Sequence, residues 1–86
     1  MNMRMFYIIR VNDESNISGT GKVLNGVVFP DGQCVIRWCS SNKNAKSSTA
    51  IYDSFEDFKF LHIDSHPTNE TKIVWHVVVE NGEKLK

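Results

Sequence analysis

The chain is expected to fold as a mainly β domain of the α+β kind: a small antiparallel sheet, or an SH3-like barrel, with one short helix across it. Three observations predict this. Gly26 to Trp38 reads as two apolar, β-rich runs around Pro30-Asp31-Gly32, the pattern of a hairpin. Phe6 to Val11 and Thr71 to Glu80 are further runs of β-branched and aromatic residues. Only Ser54 to His62 carries a helical period.

The elements follow in order. Phe6 to Val11 is the first strand, and Asn12 to Gly21 is a polar connection. Lys22 to Phe29 and Gln33 to Cys39 form the hairpin. Pro30 sets φ near −65° for the first turn position, and Gly32 supplies the left-handed residue that closes the loop. Ser40 to Thr49 is a second polar connection, holding Lys43 and Lys46 but no acid, and Ala50 to Tyr52 is a short strand. Ser54 is a helix N-cap with Asp57 three residues on. Phe55, Phe58, Leu61 and His62 recur on one helical face, and Asp53, Glu56 and Asp57 place negative charge where the macrodipole favours it. Pro67 and Asn69 mark a loop, Thr71 to Glu80 is the last strand, and residues 81–86 form a frayed tail. No internal repeat or linker divides residues 1–86, which are one small domain.

The turn fixes a register. If Phe29 pairs with Gln33, then Val27 opposes Val35, Asn25 opposes Arg37 and Leu24 opposes Trp38. Leu24, Val28, Cys34, Ile36 and Trp38 then share an apolar core face, with Gly26 leaving room for the Trp38 indole. The other face mixes Val27, Phe29 and Val35 with Asn25 and Arg37. In the last strand Ile73 and Trp75 share one side, and Lys72, Val74 and His76 the other.

Composition narrows the function. Ten Lys plus Arg balance ten Asp plus Glu, whereas a strong phosphate-backbone binder carries a basic excess, so nucleic acid is not the favoured partner. The apolar run Met5 to Ile9 is too short for a signal core or a membrane span, so the expected place is the cytoplasm, with no membrane partner. The sequons at Asn16 and Asn69 then carry no weight. The two cysteines, Cys34 and Cys39, are five apart in a strand. They face opposite sides, which disfavours a disulfide.

Several motifs invite chemistry. Ser18-Gly19-Thr20-Gly21-Lys22 resembles a phosphate loop, but Asn16 stands where that pattern needs its first Gly, Val23 follows the Lys, and a strand follows rather than a helix. What survives is a nest of backbone amides beside Lys22, set against a plain glycine turn. Cys34, Cys39, His62 and His66 suggest zinc, but the pairs are separated by more than a finger allows and the thiols diverge. His62 reads instead as a helix-end cation. No local signature makes either cysteine a nucleophile, and Asp53, Glu56 and Asp57 read as capping and solvated charge. The expectation is no enzyme, no cofactor and no metal.

Ser18-Gly19-Thr20-Gly21, Gly26-Val27-Val28-Phe29, Asp31-Gly32, Arg37-Trp38, Tyr52-x-Ser54, His62-Ile63, His66 and Thr71-x-Ile73-Val74-Trp75 occur in an order that resembles short proteins common in bacteriophages, prophages and actinobacterial genomes. The likeness runs from Ser18 to Trp75, and the chain departs from it in the Lys-bearing connection after Cys39 and in the tail. The resemblance implies a phage or mobile-element context, not a reaction. By analogy with other small phage proteins, it implies interference with host defence, by binding a host protein or by sequestering a nucleotide signal.

The expected function is therefore a stoichiometric binding protein, an inhibitor of a host defence factor. The expected ligand-binding residues are Arg37, Asn25, Lys22, Ser18, Gly19, Thr20, Gly21, Lys72 and His76. Arg37 and Lys22 would pair with anionic groups, and Asn25 and the glycine-loop amides would hydrogen-bond. The alternative is a nucleic-acid-binding β-barrel regulator standing on Lys43, Lys46 and exposed aromatics. A long apolar last strand at a sheet edge also predicts a homodimer.

Overall fold

Alternation of side chains along each strand divides the sheet into two unlike faces. The computed structural model describes residues 2–12, 20–39 and 47–76. Strands β1 (Arg4–Arg10), β2 (Gly21–Val28), β3 (Cys34–Trp38), β4 (Ser48–Tyr52) and β5 (Thr71–Trp75) form one antiparallel sheet in the order β4-β3-β2-β1-β5. β4 and β5 lie at opposite edges, so the sheet is open and the barrel alternative is corrected.

The hairpin forms in the expected register, with Leu24 opposite Trp38, Asn25 opposite Arg37 and Val27 opposite Val35. Gly32 has φ of 97°, the left-handed conformation the turn requires. The Phe29 N–H donates to the Gln33 carbonyl, and the Gln33 N–H donates to Asp31 Oδ1 at 3.0 Å.

Phe6, Ile8, Val23, Leu24, Val28, Cys34, Ile36 and Phe58 are the buried core. Helix α1 (Phe55–Lys59) crosses this face and drives Phe58 into it. Ser54 caps α1 as expected, its hydroxyl accepting from the Asp57 N–H at 3.1 Å. Two expectations fail here. The gap at Gly26 is filled by the Phe6 ring from β1, not by Trp38: a Cβ at Gly26 would fall on that ring. Phe6 then meets Phe55 edge to face and lies tilted against Trp75, with ring centroids 5.2 and 5.0 Å away.

Leu61 does not join the core. Beyond Lys59 the helix widens into a π-helix, Phe60–Asp64. The wider turn brings Ile63, five residues after Phe58, against the core and leaves Leu61 49% exposed, beside Phe60, which is 64% exposed. Two contacts span that same five-residue step: Lys59 Nζ to Asp64 Oδ1 at 2.9 Å, and Ser65 Oγ donating to the Phe60 carbonyl at 2.6 Å. A 3₁₀ turn, Pro67–Asn69, follows. The Asn69 carbonyl accepts from the N–H groups of Val11 and Asn12, tying the end of β1 to the start of β5. The predicted continuation of β5 to Glu80 and the 81–86 tail lie outside the described residues.

Candidate ligand-binding face

The sheet face opposite α1 carries the candidate site. Strand pairing lays it out in rows. The central row is Thr49, Arg37, Asn25, Tyr7 and Val74, on β4, β3, β2, β1 and β5. Below it run Ile51, Val35, Val27 and Met5, joined by His76 through its N–H bond to the Met5 carbonyl at 2.8 Å. Above it Ile9 stands between Lys22 and Lys72.

Lys22 reaches this face because of an irregularity. Strict alternation from Leu24 would turn Lys22 toward the helix side. In β1–β2 the register shifts between Ile8 and Ile9: Ile8 pairs with Leu24, but Ile9 pairs with Lys22, so Val23 is the extra residue of a β-bulge. Val23 and Leu24 are both buried, and Lys22 comes out beside Tyr7, its ammonium 4.9 Å from the ring centroid.

Five of the predicted site residues therefore share one face: Asn25, Arg37, Lys22, Lys72 and His76, all exposed. Among the described strand residues no acidic side chain accompanies them. The Arg37 guanidinium lies across the β3–β4 pair, donating to Thr49 Oγ1 at 3.0 Å, and presents the rest of its fork to solvent. The Asn25 amide donates a weak bond to Cys39 Sγ at 3.5 Å, which places Cys39 on this side and Cys34 in the core. Tyr7 meets the His76 ring edge at 5.5 Å. Thr20 and Gly21 sit at the start of β2, Gly21 with φ of 77°. Ser18 and Gly19, and the Lys43 and Lys46 of the alternative reading, lie outside the described residues.

A second cluster escaped the sequence reading. On the helix side, at the end of the sheet away from Phe6, Arg10 is only 5% exposed. Its sheet neighbours are Gly21 and Thr71, small enough to admit a guanidinium. Its carbon lies 5.5 Å from the Trp38 ring, and Nη2 donates to the His62 carbonyl at 3.4 Å. His62 packs among Trp38, Tyr52 and Phe58, and its Nε2 shares a 2.7 Å hydrogen bond with the Tyr52 hydroxyl. His62 does lie in the last turn of the helix, as expected, but it is packed among rings instead of standing in solvent as a cation. Burial, and then the charges of Arg10 and His66, hold its pKa below the ordinary imidazole value. Burial likewise raises the Tyr52 hydroxyl, and pushes the Cys34 thiol up to about 11. The sequence signals for this cluster were an arginine on the parity of Phe6 and Ile8, and a histidine on the helical face of Phe55 and Phe58.

Among the described residues no group of three or more His, Cys, Asp or Glu side chains is placed to hold a metal ion. No helix among them is long and apolar enough to cross a membrane.

A family model described as Acb5 phage protein matches residues 3–77, so the chain belongs to the Acb5 phage protein family. No curated protein and no solved structure matches it.

Proposed function

We propose that this member of the Acb5 phage protein family is a non-enzymatic binding protein that inhibits a host defence factor stoichiometrically, by holding a nucleotide-like anionic ligand on the open face of its sheet. One observation carries the reading. Arg37, Asn25, Lys22, Lys72 and His76, drawn from β3, β2, β5 and the residue after β5, lie together on one exposed face with no acidic neighbour among the described strand residues. Arg37 offers a planar fork to a phosphate, Lys22 and Lys72 offer point charges, and Asn25 offers hydrogen bonds between them. The valine row and Tyr7 supply apolar surface for a planar base.

Native mass spectrometry of the protein recovered from a host lysate is the test. A retained mass of nucleotide size, lost in Arg37→Ala and Lys22→Ala, is the expected result. A retained host protein instead would mean that the same cations meet acidic side chains of a partner. If both variants keep whatever the native chain retains, the site assignment fails.

A nucleic-acid regulator is the second reading, favoured by Tyr7 lying beside Lys22 on an open sheet. Against it, the lysine already occupies one side of that ring. Salt separates the two: phosphate-backbone binding weakens steeply as salt rises.

A further inference from the structure

We infer that the edge of the sheet at β4 is a docking groove for an extended basic segment of a partner protein, which adds to the sheet as a further strand. It stands whether or not the open face takes an anionic ligand. β4 is an edge strand, and no strand among the described residues pairs with its outer side. An edge of this kind presents unpaired N–H and C=O groups to any chain that can lie along it. Beside it Ile51, Tyr52, Asp53, Asp57, Phe60 and Leu61 line a depression of about 450 Å³. A groove between an edge strand and a helix is the setting in which extended peptides bind by strand addition, with pockets reading alternate side chains.

The side chains say which peptide. Ile51, Phe60 and Leu61 are 63%, 64% and 49% exposed and border the same depression, Ile51 from the open-face side of β4 and Phe60 and Leu61 from the helix side. Phe60, two residues past Phe58, faces outward on any helix, and the π-helix turns Leu61 out beside it, so the feature that takes Leu61 from the core also completes the groove. The charge around them is negative. Asp53 and Asp57 line the depression and Glu56 lies between them in sequence, all exposed. The cation of α1, Lys59, is committed to Asp64 at 2.9 Å, and no cation pairs with Asp53 or Asp57 among the described residues. The complement is a segment that alternates apolar side chains with Lys or Arg.

The test uses a fluorescein-labelled ten-residue peptide alternating Val with Lys and Arg, and a matched peptide alternating Val with Glu. Anisotropy should show the basic peptide binding at least about tenfold more tightly than the acidic one. Asp53→Asn with Asp57→Asn, and separately Phe60→Ser with Leu61→Ser, should each weaken it about tenfold. These side chains are exposed, so each variant should still melt in one cooperative transition, with only the small loss expected from removing charge at the start of α1, which excludes a folding defect. Hydrogen exchange should show new protection over Ser48–Tyr52 in the complex. Equal binding of the two peptides, no binding, or protection confined to the open face would overturn the inference. So would a peptide-free dimer lost in the Phe60→Ser, Leu61→Ser variant, because a second copy would then fill the groove.

Discussion

On the helix side of the sheet Phe6, Ile8, Leu24, Val28, Cys34 and Ile36 keep 3% of their surface or less. On the open side their chain neighbours Tyr7, Asn25, Val27, Val35 and Arg37 run from half-buried to exposed. The same strands write both faces, and period-two alternation is all that separates them. The covered side is filled by rings that reach across strands, as Phe6 does over Gly26. The open side carries small β-branched residues with polar groups set among them. A small domain has little core to spare, so the covered face is where stability is concentrated, and the open face is free to carry charge.

Substitutions sharpen that contrast, and the largest effects belong to the covered face. Phe6→Ala removes the ring that meets Gly26, Phe55, Phe58 and Trp75, and should cost about 3–5 kcal/mol in chemical denaturation. Gly26→Ala sets a methyl on that ring and should cost about 1–3 kcal/mol, with Phe6→Leu in the same chain recovering part of the loss. An Ala at Gly26 that leaves the midpoint unmoved would place the ring elsewhere.

Open-face changes should invert the pattern. Arg37→Ala and Lys22→Ala should each shift stability by no more than about 0.5 kcal/mol. The same changes should reduce affinity for the retained ligand about tenfold or more, read by calorimetric titration. A large loss of stability with affinity intact would reverse the roles of the two faces.

The polar intruders on the covered side give a pH effect. The folded state lowers the pKa of His62, so between that value and the ordinary 6.5 the unfolded chain binds more protons. The stabilisation is complete above about pH 6.5 and is lost as pH falls through the folded value. His62→Phe should flatten this slope in denaturant midpoints taken from pH 7.5 to 5. An unchanged slope would trace it to another group. The smallest effect separates the cysteines. Cys39, partly exposed, should react with an alkylating thiol reagent in the native protein, whereas Cys34, buried with its pKa raised to about 11, should react only on unfolding.

Local chemistry made the hairpin legible. Asp31 and Gly32 close a turn whose geometry sets the register, so the pairings from Leu24–Trp38 to Val28–Cys34 could be counted outward from it. The Ser54 cap was legible for the same reason, since its partner is three residues away. Arg37 and Asn25 fell on one exposed face because that register is local. Lys22 did not follow from alternation: only the bulge at Val23 turns it outward, and the bulge exists in the pairing with β1. Arg10 and His62 stayed hidden because they are 52 residues apart and meet only when the helix closes over β1.

The sequence by itself determined the antiparallel class, the hairpin register and the split of side chains between two faces. Each of these depends on periodicity or on a turn a few residues long. Tertiary structure alone decided that the sheet stays open, that Phe6 and not Trp38 fills the space at Gly26, and that α1 widens after Lys59 to bring in Ile63 and turn out Leu61. Those outcomes depend on which volumes meet when distant elements pack, and no local pattern encodes a volume contributed by another strand.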